Sequence, residues 1–192
     1  MSKKRLLLLL GSVVATLSLV VLLRAAVQRN TPALPVYATV PDFELIDSAG
    51  QPFASKQIQG KTCLVNFIFT SCQGVCPLIT AEMARIRNKF TNRDDIHFVS
   101  ISVDPETDTP ERLALYAKKF NADPSRWHFL TGRKEVIQKL MEEGFLLGFD
   151  NEPVFHSDRF VLIDSESQIR GYYSFADKKA FHQLPKDLAS LF

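Results

Sequence analysis

Two strand patterns separated by one helical pattern constrain the fold more than any other feature of this sequence. Residues 63–69, CLVNFIF, and residues 96–104, IHFVSISVD, are nearly continuous apolar runs rich in β-branched and aromatic side chains. Such runs are typical of strands that are buried on both faces of a sheet. Between them lies LITAEMARIRNKF, in which Leu78, Met83, Ile86 and Phe90 recur at helical spacing. This order predicts a parallel sheet that is covered by helices.

The rest of the chain extends the same alternation. Thr109 as N-cap, Pro110 and Glu111 predict the start of a helix that runs to about Phe120. Further elements are a hairpin in PDFELIDSAGQPF, a strand in WHFLTG, a helix in RKEVIQKLMEEG that Gly144 closes, a hairpin in RFVLID and QIRGYYSF, and a helix in DKKAFHQLPKDLASLF that Pro185 should break or restart. We therefore expect an α/β fold with a mostly parallel central sheet, an antiparallel hairpin at one edge and flanking helices.

The N-terminus is predicted to be a membrane anchor. Residues 6–23 are uncharged and mostly apolar, and as a helix they are about 27 Å long, close to the hydrocarbon thickness of a bilayer. A cleaved signal peptide is the alternative, but its apolar region is typically shorter, and Arg24 interrupts the small-residue pair Ala25-Ala26. We favour an uncleaved transmembrane helix. The excess of positive charge before it places the N-terminus in the cytoplasm and the remaining chain outside it.

These features divide the chain into an anchor at 1–27, a linker at 28–40 that contains Pro32 and Pro35, and a globular domain at 41–192. Five of the 23 Lys and Arg residues and none of the 21 Asp and Glu residues lie in 1–30, so residues 31–192 sum to 18 minus 21, or −3. This charge provides no basic face for nucleic acid.

The loop between the first buried strand and its helix carries the most informative motif, FTSCQGVCPLIT at 69–80. Cys72 and Cys76 lie where loops converge in such sheets and where a helix N-terminus favours the thiolate. A structural disulfide, a redox couple, metal ligands and two buried thiols are all possible. Three cysteines are too few for a disulfide scaffold, and outside the cytoplasm a thiol pair oxidises, binds metal or is kept reduced by a partner.

The spacing narrows these possibilities. A thioredoxin-type redox pair is usually CxxC, and a zinc site needs two further ligands at recognisable spacing. In CxxxC, one helical turn can place both sulfurs on one side, and two thiolates with one imidazole make a soft site suited to Cu(I). His156 is the best candidate for the imidazole, because it precedes a strand that the hairpin returns beside the first one. For His97, His128 and His182 we expect solvated or capping positions.

The remaining candidates have ordinary roles. We expect Cys63, which opens a buried strand, to pack in the core as a small apolar residue. In DPETDT, residues 104–109, either Asp108 or Thr109 should cap the next helix. Asp104 is freer, and it could polarise the site, accept a hydrogen bond from His156 or face a partner.

Taken together, these motifs resemble the Sco (SenC) family of membrane-anchored copper proteins, which assist assembly of the CuA centre of cytochrome c oxidase. The resemblance covers most of residues 41–175 and rests on GKTCLVNFIFTSCQGVCP, SISVDPETDTPERLALYAKKF, the LTG before a helix, HSDRFVLID and IRGYY. Gln73 and Gly74 depart from the expected pattern, where a proline and an acidic or small residue are usual, and Cys63 is an addition. Neither departure removes a ligand.

The resemblance implies a thioredoxin-like fold behind the transmembrane helix and one copper ion per domain. Cys72 and Cys76 match the thiolate ligands, His156 matches the imidazole, and Asp104 matches an acidic residue near the site. The implied partners are the copper-site subunit of the oxidase, a thioredoxin-like reductant and the membrane. The implied location is the bacterial inner membrane with the domain in the periplasm, or the equivalent membrane facing the intermembrane space.

There are three alternatives to a copper site at Cys72 and Cys76: a thiol:disulfide oxidoreductase, a thiol peroxidase and a structural disulfide. A thiol:disulfide oxidoreductase would use Cys72 to attack and Cys76 to resolve, and it would not need His156. A thiol peroxidase would be expected to have TxxC, whereas this chain has Thr70-Ser71-Cys72. A structural disulfide would close so short a loop that it stabilises the fold little.

Overall fold

The structure, a computed structural model, describes residues 33–148 and 158–192 together with residues 13, 16, 18 and 19. The chain divides into two compact units, Met1–Leu34 and Pro35–Phe192. Apart from those four residues, the predicted membrane anchor lies outside the described part of the chain, and so does His156. Among the described residues, no helix is both long and apolar enough to cross a membrane.

The described part of the second unit contains one sheet of eight strands. In chain order they are β1 (Ala38–Thr39), β2 (Glu44–Asp47), β3 (Pro52–Ala54), β4 (Thr62–Ile68), β5 (Ile96–Ser102), β6 (Trp127–Thr131), β7 (Arg159–Ile163) and β8 (Gln168–Ser174). Across the sheet the order is β1-β8-β7-β4-β5-β6-β2-β3. The two predicted buried strands, β4 and β5, are therefore adjacent near its centre.

Four α-helices connect or follow these strands in the described residues: α1 (Val75–Lys89), α2 (Pro110–Lys119), α3 (Lys134–Lys139) and α4 (Lys178–Ala189). A short 3-10 helix covers Ser55–Ile58, and α3 continues as a π-helical turn over Leu140–Gly144. The predicted start of α2 is confirmed, since the Arg112 N–H donates to the Thr109 hydroxyl at 3.4 Å and Pro110 is the first helical residue. Pro can occupy this position because its missing N–H would have had no partner within the helix.

The centre of the sheet is parallel, as predicted. β4 pairs with β5 in parallel from Thr62 opposite Ile96 to Ile68 opposite Ser102, and β5 pairs in parallel with β6. All the other pairs are antiparallel: β4–β7, β7–β8 and β8–β1 on one side, and β6–β2 and β2–β3 on the other. Antiparallel strands thus lie on both sides of the parallel centre and are not confined to one edge hairpin.

β1 lies within the segment that was predicted as a linker. Ala38 and Thr39 pair with Ile169 and Gln168 of β8, and the Tyr37 N–H donates to the Ile169 carbonyl oxygen at 2.9 Å. The alternating pattern that indicates a strand needs more than two residues, so the sequence gives little sign of this pairing. The folded unit accordingly begins before residue 41.

Two local predictions about helices were wrong. α4 is continuous through Pro185, because Phe181, Leu184 and Leu188 are buried and their packing outweighs the one backbone hydrogen bond that a proline removes. Leu78 was expected on the buried face of α1, but it is 55% exposed. α1 begins before Pro77, and its buried residues are Cys76, Ile79, Thr80, Met83 and Ile86.

His97 and His128 form a pair on adjacent strands and do not occupy the solvated or capping positions that were predicted. Nδ1 of His97 lies 3.0 Å from Nε2 of His128, and the rings stack with centroids 5.3 Å apart. Burial lowers the pKa of both imidazoles, and the proximity of His97 contributes to holding the pKa of His128 at about 4. The folded protein therefore keeps this pair neutral.

This pair should make the fold sensitive to mild acid. An unfolded histidine takes up a proton near pH 6.5, whereas folded His128 does so only near pH 4. The stabilisation is fully present above pH 6.5, and we expect it to be lost as the pH falls towards 4, with a slope of up to about 1.4 kcal/mol per pH unit. Urea unfolding at a series of pH values measures this slope.

His128→Gln tests the assignment, because the amide can still hydrogen-bond to His97 but does not titrate. We expect this variant to lose stability less steeply between pH 6.5 and 4 than the parent. The exposed His182 provides the matched control, and His182→Gln should keep the parent slope. Equal slopes in the parent and in His128→Gln would contradict this account.

Candidate metal centre

The loop that follows β4 places Cys72 and Cys76 at the amino-terminal end of α1. β4 ends four residues before Cys72, and the Cys72 N–H donates to the Phe69 carbonyl oxygen at 3.2 Å. α1 begins at Val75, so Cys76 lies in its first turn. The backbone N–H groups of a first turn have no partner within the helix, and they favour a negatively charged group in front of them.

The Cys72 sulfur occupies that position. It accepts hydrogen bonds from the backbone N–H groups of Cys76, Gly74 and Val75 and from the Cys76 thiol. Partial burial opposes ionisation, but these hydrogen bonds together outweigh it and lower the pKa of Cys72 below its ordinary value. Because the thiolate is the form that binds metals and attacks disulfides, Cys72 is the more reactive sulfur of the pair.

Cys76 has the opposite electrostatic environment. Burial is the main reason why its pKa is raised to about 12, and the neighbouring Cys72 and Asp108 raise it further, while a hydrogen bond from the Phe69 N–H opposes the increase. The first proton to leave the pair is therefore the one on Cys72, and the charge that remains makes loss of the second harder. Near neutral pH, Cys76 remains a thiol that donates to Cys72.

Asp104 lies at the same edge of the sheet, in the turn after β5. Its N–H donates to the Ser102 hydroxyl at 3.1 Å, and its carbonyl oxygen accepts from the Asp108 N–H at 2.8 Å. Ser102 is paired with the last residue of β4, so this turn and the cysteine loop leave the sheet side by side. Asp104 is half-buried in that turn.

The sequence did not identify the role of Asp108. Thr109 caps α2, and Asp108 instead is fully buried, with its carboxylate accepting from the Thr70 N–H at 3.0 Å, from the Thr70 hydroxyl and from the Ser102 hydroxyl at 2.6 Å. In the sequence it is one of three acids spaced two apart in DPETDT, and Glu106, the middle one, is exposed. Only the observed turn distinguishes the buried acid from the exposed one.

His156 lies outside the described residues, but its neighbour two residues on, Asp158, is described. Asp158 directly precedes β7, and β7 runs antiparallel to β4 with Phe160 opposite Asn66. β7 therefore begins at the edge of the sheet where β4 ends. Among the described residues, no group of three or more His, Cys, Asp and Glu side chains could hold a metal ion.

The other candidate residues lie away from the cysteine loop. Cys63 is in the core, as predicted, at the opposite end of β4; it is 2% exposed, and burial raises the pKa of its thiol to about 12. His97 and His128 lie near the amino-terminal ends of β5 and β6, also opposite to the edge that carries Cys72. His182 is exposed on α4.

The described residues thus provide two neighbouring sulfurs, and the pKa of one of them, Cys72, is lowered. Thiolates are soft ligands that select Cu(I) over hard cations, so this donor set fits copper. It also fits thiol–disulfide exchange, in which a low-pKa thiolate attacks and a neighbouring thiol resolves. The geometry of the pair alone is compatible with both activities.

Comparison with known proteins points to one family. The model of the SCO1/SenC family matches residues 32–190 of this chain. That span includes Cys72, Cys76, Asp104 and His156. It extends at both ends beyond residues 41–175, which contain the sequence motifs.

Solved structures of similar proteins agree with this match. A SCO1/SenC family lipoprotein from Bacillus anthracis superposes with a TM-score of 0.70 at 34% identity over 80% of this chain and 94% of that one. BsSco, described as a Sco-family cytochrome c oxidase assembly protein with a disulfide switch, has a TM-score of 0.70 and 25% identity over 84% and 96%. Copper-bound ScoI from Arabidopsis thaliana has a TM-score of 0.64 and 26% identity over 79% and 99%. The predicted thioredoxin-like fold is confirmed.

The difference between the cysteines should appear in their reactivity. We expect iodoacetamide to modify Cys72 of the reduced protein at least about tenfold faster at pH 7 than Cys76 or Cys63, because the other two thiols are buried and protonated. Peptide mapping by mass spectrometry over a time course measures the three rates. In urea the three rates should become similar, and a Cys76 that reacts as fast as Cys72 in the folded protein would contradict the assignment.

Proposed function

Because this chain belongs to the SCO1/SenC family, we propose that its domain binds one copper ion through the sulfurs of Cys72 and Cys76 and the imidazole of His156. The observation that carries this proposal is the contact between the two sulfurs at the first turn of α1. Copper is present in the similar ScoI of Arabidopsis thaliana, and two thiolates with an imidazole form a soft set that suits Cu(I).

The chain's own residues prepare this site in different ways. The lowered pKa of Cys72 favours its thiolate form, whereas Cys76, with a pKa of about 12, must lose its proton when it becomes a ligand, so binding releases a proton. Asp104 follows β5 at the same edge and is proposed to accept a hydrogen bond from His156, which would orient the ring. Copper would be the cargo of the site, and the partly exposed Cys72 would leave a side from which a partner's thiolate can enter.

We propose that this domain delivers copper to the CuA site of cytochrome c oxidase, or prepares that site for copper. Support comes from the family, since BsSco is described as a cytochrome c oxidase assembly protein. In this proposal, residues 1–27 anchor the chain in the bacterial inner membrane, or in the equivalent membrane facing the intermembrane space. The domain then faces the compartment in which the oxidase subunit presents its copper-site cysteines.

The unequal pKa values of the pair favour thiol:disulfide exchange as a second candidate function. The Cys72 thiolate attacks one sulfur of a target disulfide, which forms a mixed disulfide and releases the target's other sulfur as a thiolate. Cys76 then loses its proton and attacks the Cys72 sulfur, so the second target thiolate leaves and Cys72 and Cys76 become a disulfide. A thioredoxin-like dithiol supplies the two electrons that restore the pair.

Copper binding should require Cys72, Cys76 and His156 but should not require Cys63. With the reduced full-length protein in detergent, we expect Cys72→Ser, Cys76→Ser and His156→Ala each to lower Cu(I) affinity by about tenfold or more, because each removes a ligand. Competition with a chromophoric Cu(I) chelator measures the affinity. Cys63→Ser is the matched control, and its affinity should stay within about twofold of the parent, since Cys63 packs in the core.

His156→Ala separates the two candidate functions. Exchange with a disulfide-bonded peptide needs Cys72 and Cys76 and should continue in this variant at the parent rate. If His156→Ala keeps the parent affinity for Cu(I), the three-ligand site is wrong. If it loses both copper and exchange, the second candidate function is wrong in the form given.

A further inference from the structure

An exposed apolar strip, residues 35–37, lies directly before β1 at one edge of the sheet. Pro35 is exposed, and the side chains of Val36 and Tyr37 are 56% and 55% exposed. Among the described residues of the second unit, no other two exposed large apolar side chains are adjacent in the chain. Single exposed apolar residues are normal on a soluble surface, so a continuous strip is the informative observation.

The fold holds this apolar strip in place. The Tyr37 N–H donates to the Ile169 carbonyl oxygen at 2.9 Å, and Nε of Arg170 donates to the Pro35 carbonyl oxygen at 3.1 Å. The ring of Tyr37 also contacts the ring of Tyr172 edge to face, with centroids 5.2 Å apart. The apolar strip is therefore attached to β8 along its length and presents its side chains from a fixed edge of the sheet.

The length of chain before the apolar strip limits how far it can lie from a membrane. Seven residues, 28–34, separate it from the predicted anchor at 1–27. An extended chain spans at most about 3.6 Å per residue, so Pro35 is within about 30 Å of the end of that anchor. A short tether of this kind gives a high effective concentration at the bilayer surface, so a contact of small area is sufficient to hold the edge there.

The chemistry of this edge suits the interface of a bilayer. Tyrosine has an apolar ring and a polar hydroxyl, and it is enriched where hydrocarbon meets the headgroups. The first acidic residue in the sequence is Asp42, whereas Arg24 and Arg29 lie between the apolar anchor run and the strip. Anionic headgroups therefore meet basic side chains and an uncharged strip, with no acid before residue 42 to repel them.

We propose that the apolar strip docks the folded unit, with its β1 edge first, onto the lipid bilayer in which the chain is anchored. The proposal rests on the membrane anchor of the proposed function. In the sheet, β4 is the third strand from β1, in the order β1-β8-β7-β4. Neighbouring strands are about 4.8 Å apart, so docking holds β4 and the cysteine loop that follows it about 14 Å farther from the bilayer than β1. The loop then works at a set height, within reach of a partner site close to the membrane surface.

Tyr37→Trp tests the contact, because an indole on the strip reports nearby lipid. Full-length protein is placed in nanodiscs of phosphatidylcholine and phosphatidylglycerol whose acyl chains are either brominated near the headgroup end or unbrominated. Bromine quenches an indole only at short range, and we expect the added indole to lose at least about a third of its emission in the brominated discs. The one native tryptophan, Trp127, is buried, and its signal in the parent protein is subtracted.

Two variants distinguish docking from mere proximity. Leu115→Trp is the matched control, since Leu115 is 66% exposed on α2, which connects β5 to β6 beyond β4, and its indole should not be quenched. Adding Val36→Asp to Tyr37→Trp places a carboxylate on the strip that resists loss of water, so quenching should fall to the level of the control. If Tyr37→Trp does not fold by circular dichroism, Val36→Trp carries the same probe with the same expectation.

Four outcomes would overturn the proposal. Equal quenching at positions 37 and 115 would exclude docking at this edge, and quenching that survives Val36→Asp would show that the tether alone brings the edge to the lipid. Protection of the indole at position 37 from aqueous acrylamide without bromine quenching would indicate that a second copy of the chain covers β1. Failure of the chain to enter nanodiscs would overturn the anchor together with this proposal, whereas the first three outcomes leave the anchor and the copper site unaffected.

Discussion

β4 is hydrogen-bonded along both edges and buried on both faces, and this confinement determines where the chain leaves the sheet. β5 pairs with it in parallel over its whole length, and β7 pairs with it from the other side. All seven of its residues are buried. A shift of one residue would exchange the two faces of the strand, so its register is strongly specified. The loop that contains Thr70 and Cys72 begins at that fixed end. The packing of β4 in the core therefore determines where the loop lies.

Two electrostatic influences of opposite sign then meet at one pair of sulfurs. The N–H groups of the first turn of α1 stabilise negative charge on Cys72, whereas burial and the Asp108 carboxylate oppose it on Cys76. Negative charge is therefore favoured on Cys72, the more accessible sulfur, over Cys76. This difference suits a site in which Cys72 reacts first with a metal ion or a target sulfur from solution, while Cys76 stays protonated until the second step.

The sequence was sufficient where a residue's role depends on its immediate neighbours. The apolar runs of β4 and β5 predicted the parallel centre, and Thr109 before Pro110 predicted a helix start, because both patterns are local. The sequence was not sufficient where a residue's position depends on contacts with segments that are distant in the chain. Pro185 stays within α4 because of packing, and His97 meets His128 only across two strands. Asp108 differs from Glu106 only through the turn that directs it inward, towards a threonine 38 residues earlier in the chain.

The burial of Cys63 has a consequence for how the protein is oxidised. Three cysteines allow three different disulfides, but Cys63 lies at the far end of β4, about 20 Å from the loop at the usual rise per residue of a strand. A disulfide requires Cα atoms within about 7 Å, so the intact sheet permits only the pairing of Cys72 with Cys76. Before β4 has formed, all three pairings are open. Oxidation before strand formation could therefore join Cys63 to one of the other two cysteines, whereas oxidation of the folded chain could not.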